Sequence, residues 1–362
     1  MGLLVGGCAT PPLGPLLVTL ADGGVEVADL EGAGVVLEDG GPGLISRQPT
    51  WTPEGRLAVW TLIDQNAGEV SVKMGDAENQ RRLEAGTAPF FYLSDQTGER
   101  VAYLGNAPSG QGVALGVIEV AAGEAALIDG GAPYYLDWAG GGDRLVIHVG
   151  NQVLAFLDLE GTRTELALIP GLFQAPLVLA DGNILVVEAG PPQALVMLDP
   201  EGAKVRSLAE VEGLSMFTEG GGRVAFTDTA GGAALGPLRV IDLESGETIT
   251  VHEEGVAAME WSPTGDRLLY FTIDRDQLVP HIWDGDRADS YPAFAPSVTF
   301  VTEYLPFWDQ YLRTLSLWSP AGDAFVVANG EGNIVVQELN QSTPRVIGPG
   351  TFASWNPVEG DS

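Results

Sequence analysis

Trp261-Ser262-Pro263-Thr264-Gly265-Asp266-Arg267, continuing into Leu268-Leu269-Tyr270-Phe271, is the stretch on which the reading of this sequence turns. Pro263 pre-sets φ for the first corner, Gly265 takes the positive φ that other residues resist, and the apolar run after Arg267 re-enters a sheet. The stretch is therefore a hairpin, and it recurs. Close copies are Trp318-Ser319-Pro320-Ala321-Gly322-Asp323 before Phe325-Val326-Val327, and Trp51-Thr52-Pro53-Glu54-Gly55-Arg56 before Leu57-Ala58-Val59. Looser ones are Trp138 with Gly140 to Asp143, and Trp355-Asn356-Pro357 near the end.

Spacing between the tryptophans sets the unit. Trp51 and Trp138 lie two repeats of about 43 residues apart, and Trp138 and Trp261 three of about 41, the length of a four-stranded propeller blade. Short alternating apolar runs separated by Gly, Asp and Pro fill each unit, as antiparallel strands require. Thr351 to Trp355 is a first strand with no successors, whereas Leu16 to Leu37 supplies three later strands with no first one. Pairing them completes one blade and closes the ring, which removes the unpaired edges of an open array. The expected fold is all-β: a single closed β-propeller of eight four-stranded antiparallel blades, or seven if one of the copies lacking tryptophan is misread. Residues 1–15 precede the propeller, 16–357 form it, and 358–362 are a tail.

The chain has 362 residues, with 49 Gly, 24 Pro and 45% hydrophobic residues, a balance suited to many short strands joined by turns. Its 49 acidic residues against 17 basic ones give a formal charge of −32, and Lys73 and Lys204 are the only lysines. That charge argues against nucleic acid or an anionic membrane surface as a direct partner. A single cysteine, Cys8, excludes an intramolecular disulfide and thiolate clusters.

Leu3-Leu4-Val5-Gly6-Gly7-Cys8-Ala9 resembles a bacterial lipoprotein signal ending in a lipobox, in which the cysteine is lipidated. The match lacks a basic n-region and has only seven residues before Cys8, as a start site placed too far downstream would produce. The expectation is an extracytoplasmic lipoprotein touching the membrane only through Cys8, with Ala9 to Pro15 as an extended tether.

The Trp-Ser-Pro-x-Gly-Asp-Arg turn, followed about 20 residues later by Asp-Leu-Glu-Gly, resembles the repeat of TolB-type (WD40-like, PD40) β-propellers, and the resemblance runs from about Leu16 to Pro357. It implies a rigid, non-enzymatic platform for a protein partner in the cell envelope or extracellular space; the expected function is a scaffold that binds a protein or an envelope polymer, acting as a monomer. A hydrolase module, the other setting of such propellers, finds no Gly-x-Ser-x-Gly nucleophile turn here.

Chemistry-bearing residues are sparse. His148, His252 and His281 are the only histidines, and no zinc pattern, phosphate loop or dinucleotide fingerprint is present, so no metal or cofactor is expected. One interval breaks the repeat: Trp261 to Trp318 exceeds one unit, which places an insertion at about 274–313. Its aromatic residues single out Tyr304, Phe307, Trp308, Asp309 and Tyr311 as a candidate binding surface. The competing reading is a short helix over Val298 to Gln310 that packs these rings on the propeller. Asp274, Asp276, Asp284 and Asp286 lack the spacing of a calcium loop. Two other functions stay open: a lactonase- or lyase-like enzyme with a divalent cation at the central channel, and a carbohydrate-binding module using the insertion's aromatic residues.

Overall fold

The computed structural model describes residues 15–172, 174–213, 215–229 and 235–358. Cys8 and nearly all of the segment before the propeller lie outside these residues. The chain is an eight-bladed β-propeller, with seven four-stranded antiparallel sheets and an eighth of three strands. Blade 2 shows the plan: Leu44–Trp51 innermost, then Ala58–Asp64, Glu69–Gly75 and Gln80–Leu83 outward. In blade 8 the innermost position is held by a bridge between Trp318 and Phe325 and by Val326 N–H donating to Leu317 O at 2.8 Å. Closure is as the terminal strands imply. Phe352–Trp355 is the first strand of blade 1 and pairs antiparallel with Leu16–Thr19, Leu16 opposite Trp355 and Thr19 opposite Phe352.

The repeated turn joins blades as well as strands. Gly265 occupies a tight corner: its N–H donates to Ser262 O at 2.8 Å, its φ is +70°, and a Cβ there would meet Gly221 N at 2.3 Å. Gly265 is thus fixed both by conformation and by the approach of blade 6. Ser262 Oγ accepts from Arg267 N–H at 3.1 Å and donates to Asp266 at 2.9 Å, which locks the loop. The arginine then reaches forward. Arg267 donates to Gly322 O in the next blade's turn at 2.7 Å, as Arg223 does to Gly265 O at 2.8 Å and Arg100 to Gly142 O at 3.3 Å. The tryptophan reaches back, Trp138 Nε1 to Leu93 O at 2.9 Å, Trp318 to Glu260 O at 3.1 Å and Trp261 to Thr218 O at 3.3 Å.

The irregular segment is narrower than its spacing suggests. Gln277–Trp283 and Ala288–Ser290 are the third and fourth strands of blade 7, so the departure from the repeat begins at Tyr291. Residues 291–296 run along blades 7 and 8, bridging Leu278 to Phe294 and Pro296 to Asn329. The chain then turns inward through a π-helical turn Phe300–Tyr304, a 3-10 turn Leu305–Phe307 and a single α-helical turn Trp308–Tyr311. Pro306 lacks the N–H that a continuous helix needs, which accounts for the change of helix type.

Candidate functional site

The helical segment plugs the central channel and touches the innermost strands around the ring. Trp308 Nε1 donates to Met259 O of blade 7 at 3.1 Å, and Gln310 exchanges bonds with the backbone of Leu136 in blade 4, donating at 3.0 Å and accepting at 3.3 Å. Asp309 accepts from Ala175 N–H, at the entry to blade 5, at 3.0 Å. Tyr311 Oη donates to Phe90 O of blade 3 at 2.9 Å and accepts from Gln48 Nε2 of blade 2. Tyr304 stacks on Phe352 of blade 1 with centroids 4.1 Å apart, and Ser297 N–H donates to Ala328 O of blade 8. Met216 of blade 6 packs against the same apolar cluster.

The five residues proposed from sequence therefore divide. Tyr304, Trp308 and Tyr311 are buried packing groups, Asp309 is a backbone cap, and Phe307 alone of the five stands out, 51% exposed. Burial, then the Tyr311 and Glu303 charges, holds the Tyr304 phenol far above its ordinary range. Below the plug, Arg313 pairs with Asp137 at 3.2 Å and donates to Ala175 O and Pro176 O, so its charge is consumed internally. Burial pushes Asp137 and Asp309 up, with Arg313 opposing it for both, and pushes Arg313 down.

Phe307 overhangs a cavity of about 360 Å³ at the end of the channel where the first strands begin. Its walls are Phe90 and Phe91 of blade 3, Tyr134 and Tyr135 of blade 4, and Tyr311 of the plug, with Arg47, Gln48 and Glu303 at its polar side. Tyr134 Oη is committed to Asp129 at 2.6 Å, and that carboxylate is held by Arg163 at 2.8 Å. Burial, and secondarily the Asp309 charge, pushes Tyr135 up to about 12, so this phenol is neutral at ordinary pH. The pocket offers neutral rings and a few hydrogen-bonding groups, an arrangement for holding a ligand.

Gln48 is a residue that the sequence reading passed over. It sits at a break in register between Arg47 and Thr50, where Pro49 has no N–H to give the ladder, and its φ is +50°. A bulge of this kind redirects side chains, and Gln48 and Arg47 both line the pocket. The signal in sequence was a proline inside an otherwise regular strand, Ser46-Arg47-Gln48-Pro49-Thr50.

The opposite mouth, among the Trp-Ser-Pro turns, holds a second cavity of about 570 Å³ lined by Trp51, Trp261, Trp355, Glu260 and Arg313. Glu260 is buried with no cation beside it; burial pushes it up to about 8, opposed by Leu317 N–H at 3.2 Å and Ser316 Oγ at 3.1 Å. Here Glu260 serves as an acceptor for the irregular innermost segment of blade 8. His281 stacks on Tyr270 at 4.8 Å and is pushed down to about 4 by burial and by His252. His148 is buried with Nδ1 2.8 Å from Gln174 O. Asp274 and Asp276 lie at one end of the strand Gln277–Trp283, and Asp284 and Asp286 at the other, so the four carboxylates are not brought together. Among the described residues no group of three or more His, Cys, Asp or Glu is placed to hold a metal ion.

No family model and no curated protein match the sequence. The fold is matched by many solved structures. A eukaryotic initiation factor aligns at TM-score 0.61 and 9% identity, covering 95% of this chain and 99% of that one. Apo AztD from Citrobacter koseri aligns at 0.58 and 15%, covering 94% and 96%. An oligogalacturonate lyase in complex with manganese aligns at 0.55 and 11%, covering 96% and 97%. TolB from Acinetobacter baumannii is matched as well, at 0.46 and 15%, covering 88% and 84%. The chain is a β-propeller whose structural neighbours include a lyase as well as proteins that are not named for a reaction.

Proposed function

We propose that this chain is a non-catalytic extracytoplasmic propeller that binds a protein partner through the Phe307 pocket, acting as a monomer and held at the membrane by a lipid on Cys8. The observation that carries the binding reading is a large aromatic side chain left half in solvent at a cavity walled by other rings, while the rings of Tyr304, Trp308 and Tyr311 on the adjoining turns are buried. Such a ring gives large contact area at small entropic cost. No helix among the described residues is long and apolar enough to cross a membrane, so the anchor rests on the Cys8 motif.

Crosslinking in envelope extracts with wild type and Phe307→Ala tests the pocket. A partner captured by wild type and lost from the variant supports it; a partner retained equally by both removes it. For the anchor, incorporation of a labelled lipid precursor that disappears in Cys8→Ala is expected, and no incorporation into the full-length precursor refutes it. The enzymatic alternative has the manganese-bound lyase as a neighbour of fold, and a channel cation would have to be held beside the buried rings of Tyr304, Trp308 and Tyr311. The carbohydrate-binding alternative would use Phe307 rather than Tyr304, Trp308 and Tyr311, which are buried.

A further inference from the structure

We propose that the Phe307 pocket recognises an aromatic ring that carries a carboxylate, the ring lying among Phe90, Tyr135 and Phe307 and the carboxylate meeting Arg47. The proposal rests on the binding reading above and names the chemistry of the ligand.

The size and walls of the cavity set the first element. A space of about 360 Å³ lined by aromatic side chains suits a single ring system, at the small end of ligand sites. Edge and offset contacts between rings add to what burial alone gives.

Arg47 sets the second. In a chain of formal charge −32, the ion pairs among the described residues engage Lys73, Lys204 and seven arginines, and Arg47 is in none of them. Its Nε is buried and has no hydrogen-bond partner. A partly buried guanidinium without a partner is unfavourable, and its planar fork matches a carboxylate through two parallel bonds.

Gln48 sets the third. It is 4% exposed, its Nε2 is committed to Tyr311, and its Oε1 is buried with no partner. An unmet acceptor in a buried wall, on a backbone held at φ +50°, is the kind of cost that persists at binding sites. A donor on the ligand would satisfy it. The amide N–H beside the carboxylate of a C-terminal aromatic residue, or the amino group of a free aromatic amino acid, each supplies ring, carboxylate and donor together.

Glu303 lines the same pocket from the plug and repels a carboxylate. It therefore orients the ligand, turning the acid toward Arg47 and away from the helical segment. Its removal should strengthen binding, the opposite of removing Arg47.

The test is calorimetric titration of the full chain with acetyl-Gly-Ser-Phe as the free acid, the same peptide as its C-terminal amide, and free L-phenylalanine, carried to millimolar concentration. The expected result is that the acid binds at least tenfold more tightly than the amide, that Arg47→Gln abolishes this difference, and that Glu303→Gln tightens the acid a few-fold. Tighter binding of the peptide assigns the chemistry to a partner's C-terminus, and tighter binding of phenylalanine assigns it to a free amino acid; both sustain the proposal. Equal binding of acid and amide to wild type overturns the carboxylate while leaving the pocket as a ring site. Absence of binding by all three probes overturns the proposal, and the crosslinking comparison with Phe307→Ala then decides the underlying reading separately.

Discussion

Residues 261–267, with Trp261, and residues 297–314, with five aromatic rings, both hold blades together, yet they do different work. In the turn, Trp261 reaches back to Thr218 O and Arg267 forward to Gly322 O, and related ties recur around the ring. In the plug each contact is made once: Trp308 with blade 7, Gln310 with blade 4, Tyr311 with blades 2 and 3. The turn spreads cohesion over many equivalent joints, whereas the plug concentrates it on the axis. A repeated joint tolerates the loss of one copy; a unique one does not.

Trp308 is the plug residue whose loss should cost most. It is 2% exposed and packs edge-on against Phe300, so Trp308→Ala should cost about 3–5 kcal/mol, read as a lower urea midpoint with an unchanged slope. Arg313→Ala should approach the same loss, about 3 kcal/mol or more, because it leaves Asp137 buried without its cation. Adding Asp137→Ala should then cost less than either change alone implies, and simple additivity would show the pair to be uncoupled.

At Glu260, beside the plug's exit, stability should depend on pH. Its folded pKa of about 8 lies above the ordinary carboxylate value, so the folded state holds this proton more tightly than the unfolded chain does. The stabilising contribution is complete below about pH 4.5 and lost as pH rises through about 8. Wild type should lose stability relative to Glu260→Gln across that window and run parallel to it above. A constant difference would show that the carboxylate is solvated.

A single turn joint should matter less. Arg267→Ala removes one bond to Gly322 O at a partly exposed site, about 1 kcal/mol, and a loss as large as that of Trp308→Ala would contradict the division drawn here. Smallest of all is Phe307→Ala, expected within about 0.5 kcal/mol of wild type in stability while binding at the pocket is lost. Large destabilisation would make Phe307 part of the plug's packing.

Much of the fold was legible because the repeat is local. Pro263 and Gly265 declare a turn within seven residues, and the orphan strand Thr351 to Trp355 declares its partner by being incomplete. The candidate site was legible only in part. The break in spacing marked an insertion, but Gln277–Trp283 and Ala288–Ser290 read as irregular because the turn between them, Asp284-Gly285-Asp286, departs from the Asp-Leu-Glu-Gly of the repeat. Arg47 and Gln48 went unnoticed, since a proline within a strand signals a bulge and not what the bulge faces.

By itself, then, the sequence determined the blade unit, because hairpin contacts a few residues apart repeat at a fixed period, and it pointed to closure because each end carries part of one blade; that the blades number eight and not seven was decided by the structure. Only the tertiary structure decided that Tyr304, Trp308 and Tyr311 face inward and Phe307 outward. Those four lie within two helical turns, and which side is solvent is fixed by Met259, Phe90 and Phe352, strands distant in the chain that meet only when the ring is closed.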